Sequence, residues 1–151
     1  MQNQSTLGKS SIGMDANLAA ALGYPIGIIS IIVLCTEKEN KFVKFHALQS
    51  ILFHVGAGVL FGVLGIVMAV VVMLLAAVGV AAAGAGGNQA GAGAGMGIGI
   101  LMILMYLVFI LAGLALFATN IVSAVKAYQG NIFRLPFVGK IAANFAKLDQ
   151  P

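Results

Sequence analysis

Four side chains could do chemistry in an otherwise apolar part of this chain: His46, Gln49, Ser50 and His54. His46, Ser50 and His54 recur every fourth residue, which puts them on one stripe of a helix with Gln49 beside it. Imidazoles can ligate a metal or heme, or relay protons; hydroxyl and carboxamide groups can hydrogen-bond neighbouring helices. The two histidines stand two helical turns apart, about 12 Å. One metal cannot be held by both, and no carboxylate follows in the apolar stretch to complete a site. The stripe is expected to tie the chain together by packing, with proton handling the second reading and a cofactor the third. Neither a bound cofactor nor a metal is expected. Glu37 and Glu39 precede His46, but Lys38, Lys41 and Lys44 interleave with them, so they read as a solvated loop rather than a catalytic pair. No enzymatic activity is expected.

The elements that must position this stripe follow from where charge is missing. From Phe45 to Val125, 81 consecutive residues include no Asp, Glu, Lys or Arg, and all twelve charged side chains lie outside that run. A soluble domain needs charge over most of its surface. A chain in lipid avoids it, because a charge at mid-bilayer costs several kcal/mol. The apolar fraction of 61% points the same way. The net charge of +4 lies in short segments flanking apolar spans, where it sets topology and meets anionic headgroups rather than nucleic acid.

The expected fold is an all-α integral membrane helical bundle of three transmembrane helices plus a C-terminal interfacial amphipathic helix. Residues 1–14 are polar and read as a disordered tail, ahead of one membrane domain over 15–148. Asp15 stands at a helix N-cap position. The first span covers about 16–35, interrupted by Gly23, Pro25 and Gly27. Proline removes a helix hydrogen bond, and two glycines four apart allow close packing. The span is then either a bent crossing or a re-entrant hairpin turning at Pro25. The crossing is favoured, because nothing polar nearby suggests how the opened backbone would be satisfied. Cys35, the single cysteine, reads as a buried thiol at the end of this span.

A second helix begins near Asn40 and continues to about Ala83, with its membrane part over 47–83. Gly58 and Gly62 give it a helix-packing spacing. Residues 84–97 are Gly/Ala-rich and read as a flexible loop, with a continued helix through Gly91, Gly95 and Gly99 as the alternative. The third span runs over about 98–125. Gly130 falls where a helix C-cap is needed, and 136–148 reads as a short amphipathic helix on the membrane surface.

Basic residues set the orientation. Lys38, Lys41 and Lys44 lie in the first loop, and Lys126, Arg134, Lys140 and Lys147 in the C-terminal segment, against Lys9 alone in the tail. Three crossings place the first loop and the C-terminus in the cytoplasm and the N-terminus outside. A re-entrant first segment brings the N-terminus to the cytoplasm as well. The expected surroundings are the lipid bilayer and its anionic headgroups, with a homo-oligomer or membrane-complex partner and no nucleic acid. Three helices cannot enclose a pore alone, so a channel or small-solute or proton transporter would need oligomers.

Met14-Asp15-Ala16-Asn17-Leu18, the run from Glu37 to Ser50 and the closing Ala127-Tyr128-Gln129-Gly130 with Leu135-Pro136-Phe137-Val138-Gly139 together resemble a family of small prokaryotic multi-pass membrane proteins of unknown function. That family is distantly similar to the twenty-kilodalton membrane component of the chloroplast inner-envelope import machinery. The resemblance implies a helical integral membrane protein with no assigned enzyme activity. The small-residue faces and the cytoplasmic basic surface make the expected role one of helix–helix and protein contacts in the inner membrane. It extends to protein translocation or membrane-complex assembly only through the chloroplast relative.

Overall fold

A computed structural model describes residues 7–148, apart from the side chains of 82, 86–91 and 94. The described residues form four helices: α1 Ala16–Leu22, α2 Gly27–Thr36, α3 Lys41–Tyr128 and α4 Val138–Phe145. Among them the only extended pairing is an isolated bridge between Lys9 and Asp15. The chain divides into two compact units, Met1–Ala57 with Leu116–Pro151, and Gly58–Ala115.

The second unit is a helical hairpin. Helix α3 is 88 residues long, about 130 Å if straight. It is not straight, because the Phe61 and Phe109 rings meet at 5.1 Å between centroids. A Cβ at Gly79 would touch Ile98, and one at Gly113 would touch Phe61. The chain therefore doubles back through the Gly/Ala segment, as expected, although 84–97 keeps helical backbone rather than forming an open loop. Two stretches, Lys41–Ala85 and Gly95–Tyr128, are long and apolar enough to cross a membrane, and the protein buries none of their most apolar parts. Aliphatic side chains such as Val59, Ile66, Met73 and Ile103 stand exposed along them. Such a surface requires lipid. Gly58, Gly62, Gly95 and Gly99 have open space where a Cβ would be, so the small-residue faces are not packed within this chain.

In the first unit, residues 16–35 are not one bent span. Helices α1 and α2 have 7 and 10 residues. At 1.5 Å per residue neither approaches the ~30 Å hydrocarbon thickness. They are also folded together at their outer ends: Ser11 donates its backbone N–H and its hydroxyl to the Glu37 carboxylate, both at 2.8 Å. Asn40 Nδ2 donates to the Leu7 carbonyl at 2.8 Å. A single crossing would hold these ends a bilayer apart. Residues 16–35 fold as a hairpin turning at Gly23–Ile26. Residues 7–14 are accordingly hydrogen-bonded rather than a free tail, and residues 1–6 lie outside the described part. Asp15 occupies the N-cap position of α1, but its side chain makes no capping bond. Cys35 is exposed rather than buried.

The α1–α2 hairpin buries Ala16, Ala19, Ala20, Tyr24 and Val33 against Phe42, Val43, Ala47 and Ala127 of α3. Alanines on α1 permit this close approach, and Leu7, Ile12 and Met14 seal its edge. Helix α3 starts where expected, with the Asn40 side chain accepting from Val43 N at 3.2 Å. It ends with Gly130 at φ 76°. Asn131 N bonds to Lys126 O at 2.9 Å and Gly130 N to Ala127 O at 3.0 Å, a Schellman cap.

Helix α4 has three faces. Gly139, Ala142 and Ala143 are buried, with Ala142, Ala143 and Ala146 packed on Phe45, Leu48 and Leu52. Phe137, Ile141 and Phe145 are exposed, and Lys140 and Lys147 lie on the remaining side. The sequence pattern gave the bulky apolar face correctly, but that face points away from the protein, while the small residues make the contact. At Gly139 a Cβ would come within 2.9 Å of the Arg134 backbone.

Gly139→Ala must therefore shift α4 or the Arg134 backbone, at a cost of about 1–3 kcal/mol. Gly58→Ala meets open space and is expected to stay within about 0.5 kcal/mol of wild type. Thermal unfolding of both variants in the same detergent measures the difference; equal midpoints would refute the packing of α4.

Candidate functional site

The opened backbone between α1 and α2 is satisfied by the polar stripe of α3. Ser50 Oγ donates to the Gly23 carbonyl at 2.8 Å. Asn120 Nδ2, from the other end of α3, donates to the Tyr24 carbonyl at 3.0 Å. Pro25 has no N–H to leave unpaired. The sequence reading found no polar partner for this break because the donors lie 27 and 96 residues away.

Gln49 holds the centre. Its Nε2 donates to Tyr24 Oη at 2.7 Å and to the Phe133 carbonyl at 2.9 Å. Its Oε1 accepts from Leu135 N at 3.2 Å. One fully buried carboxamide thus joins the hairpin turn, α3 and the extended segment leading to α4. No charged side chain could do this without a large desolvation penalty.

Tyr24 Oη accepts from Gln49, so its proton is available to His46 Nδ1, 3.1 Å away. Phe42, Phe45 and Tyr24 surround the imidazole edge-on, with ring centroids 4.6, 4.9 and 5.9 Å from it. The Asn131 backbone is the other polar group that His46 meets. His54, by contrast, is exposed. Its Nδ1 lies 2.8 Å from the Ser50 carbonyl, and its ring covers Gly27. The helical stripe is real, but its two histidines occupy different surroundings. Among the described residues no three His, Cys, Asp or Glu side chains converge as a metal site would require.

Glu37 is the polar residue the sequence reading misjudged. It is buried, and its carboxylate accepts from Ser11 N and Oγ, from Asn40 N at 3.1 Å and from Glu39 N at 3.3 Å. Burial alone would raise its pKa; the backbone bonds from Ser11, Asn40 and Glu39 and the Ser11 hydroxyl outweigh burial and lower it. Asn17 likewise went unnoticed: its Nδ2 donates to the Tyr128 carbonyl at 3.0 Å.

The basic residues fall into two groups. Lys38, Lys41, Lys44 and Lys147 line one cavity of about 270 Å³. Lys126 lies in the last turn of α3, where a cation suits the helix dipole, and Lys140 is exposed on α4. Gly23 and Gly27 sit in close contact, with Ser30 and His54 respectively, whereas Gly58 and Gly62 do not.

A family model for the magnetosome magnetite crystal formation protein family matches residues 9–142. A UPF0132 membrane protein of Methanocaldococcus jannaschii is 33% identical over 142 residues, which span 93% of this chain and 97% of that protein. A second UPF0132 membrane protein, from Archaeoglobus fulgidus, is 35% identical over 130 residues, 85% of this chain and 93% of its own. No solved structure matches.

Gln49→Leu keeps the volume but strands Tyr24 Oη, Phe133 O and Leu135 N, and is expected to cost about 2–4 kcal/mol. His54→Ala is expected to cost well under half of that. Thermal unfolding in detergent ranks the two, and a mild Gln49→Leu would refute the central role. Because its folded pKa is depressed, Glu37 stabilises the fold above its unfolded pKa near ~4.3. That contribution is lost as pH falls through the lower folded value. Protease sensitivity of residues 7–15 should therefore rise below about pH 4, and Glu37→Gln should show it already at pH 7.

Proposed function

The chain belongs to the magnetosome magnetite crystal formation protein family, and from that membership we propose that it is a non-enzymatic membrane protein that works through contacts with other membrane proteins or further copies of itself. The observation that carries this reading is the spent polar network. Gln49, Ser50, Asn120 and Asn17 all donate to the protein's own groups, so the interior holds itself together and the outer surface meets partners. That surface includes the open small-residue positions Gly58 and Gly62, which suit close helix contact with a neighbour.

The family description speaks of magnetite crystal formation. A part in that process would run through assembly of membrane components, which the open small-residue positions support. Assembly or translocation, to which the chloroplast likeness pointed, stands within the same reading. Neither carries a nucleic-acid partner.

The folded-back hairpin sharpens the proposed orientation. Leu7 packs beside Gly130, and Asn17 bonds Tyr128, so the N-terminal segment, the first loop and the end of α3 share one end of their unit. All eight Lys and Arg residues then belong to the cytoplasmic side of the cell membrane. The N-terminus, placed outside by the three-crossing reading, moves inside. Reporters fused at the two termini should report the same compartment, and one at Asn88 the opposite. Termini in different compartments would restore a crossing by 16–35.

A second reading, an oligomeric channel or a small-solute or proton transporter, is favoured by one observation: His54 is exposed on α3 beside the hairpin turn. Cross-linking in native membranes separates the two. Capture of specific membrane partners or defined oligomers supports contact function, and capture of lipid alone refutes it. Proton or solute flux in liposomes that His54→Ala abolishes would establish the second reading instead.

A further inference from the structure

The cavity between the first loop and the end of α4 has a composition that the packing does not explain. Its lining comes from three separate segments: Lys38 and Glu39 of the loop, Lys41 and Lys44 of α3, and Phe145, Ala146 and Lys147 closing α4. Four lysines therefore line about 270 Å³, with Glu39 the one acidic residue lining it among the described residues. Folding brings together like charges that repel, and nothing in the hydrophobic packing of α4 requires it.

Lys147 stands out on backbone grounds. Helix α4 ends in a Schellman cap like that of α3, with Leu148 N bonded to Ala143 O at 3.0 Å and Lys147 N to Asn144 O at 3.2 Å. The left-handed position of the first cap is held by Gly130 at φ 76°, and that of the second by Lys147 at φ 51°. A lysine there is strained where glycine would not be. The strained position is the one that delivers a fourth cation to the cavity.

The cavity also adjoins an apolar surface. Phe145 is 71% exposed, and Phe137 and Ile141 on the same side of α4 are 86% and 46% exposed. An inorganic anion or an acidic peptide would use the ammonium groups but leave these residues in water. A membrane lipid satisfies both, with its phosphate among the lysines and its chains along the aromatic face.

The structure assigns to this corner a binding site for the phosphate headgroup of an anionic membrane lipid, formed by Lys38, Lys41, Lys44 and Lys147 with Phe145 beside it. Lys44 comes from α3 and Lys147 from the end of α4, so two separate segments supply contacts to the phosphate. The assignment rests on membrane embedding alone and not on the proposed contact function.

Full-length protein in phosphatidylcholine nanodiscs doped with phosphatidylglycerol, followed by native mass spectrometry of what stays bound, tests it. Wild type should retain phosphatidylglycerol over phosphatidylcholine. Each pocket lysine removed should cut that preference roughly fivefold. Lys147→Gly separates binding from folding: it suits the left-handed backbone, so the thermal midpoint should hold or rise while lipid retention falls. Lys44→Arg with Lys147→Arg keeps the charge and should keep the lipid. Lys9→Ala with Lys126→Ala removes two charges outside the cavity, one more than Lys147→Gly, and should leave retention unchanged. Equal retention of both lipids, unchanged retention in Lys147→Gly, or equal loss in the Lys9/Lys126 control would overturn the site. Binding of inorganic phosphate or a co-purified acidic protein without lipid preference would do so too.

Discussion

A broken helix in an apolar setting must find partners for its opened backbone, and the rest of this structure depends on how that is done. The break at Gly23–Ile26 exposes carbonyls that water would satisfy in a soluble protein. Here Ser50 and Asn120 satisfy them from two distant parts of α3. Gln49 extends the same solution to Tyr24 Oη and to the segment at Phe133–Leu135. Carboxamides recur in this role: Asn17, Asn40, Gln49 and Asn120 each donate to a main-chain carbonyl far away in sequence. They carry strong donors without a net charge, which lets them be buried at modest cost.

This arrangement separates interior from surface. Gln49, Ser50, Asn120 and Asn17 are committed to holding the α1–α2 hairpin against α3. The charged groups collect where the N-terminal segment, the first loop and the closing segment come together. Glu37 pins the first two of these by accepting from Ser11 and Asn40. What faces outward is an apolar surface along the spans and a basic cavity beside exposed aromatic residues on α4.

Much of the fold is legible in the residue order. The start of α3 follows from Asn40, its end from Gly130, and the reversal from the Gly/Ala segment, because local backbone preferences act over a few residues. The α4 pattern is likewise local, although which of its faces meets the protein depended on Gly139, Ala142 and Ala143 fitting against Phe45 and Leu48. The polar stripe is legible as a stripe. Its division into a buried His46 and an exposed His54 is not, since periodicity gives a face and not what covers it. Glu37 looked solvated because its partners, Ser11 above all, come from a segment that resembled a loose tail.

The sequence by itself determined the solvent. Eighty-one residues without charge require lipid, because the cost of burying charge in hydrocarbon is independent of tertiary detail. It also determined two long apolar stretches, the start of α3 at Asn40 and its end before Gly130. Only the tertiary structure decided that Pro25 marks a turn rather than a kink. That choice rests on hydrogen bonds from Ser50, Asn120 and Gln49 reaching across 27, 96 and 25 residues, and on Glu37 closing the hairpin at its base. Such bonds form only after the chain has folded, so no local pattern records them.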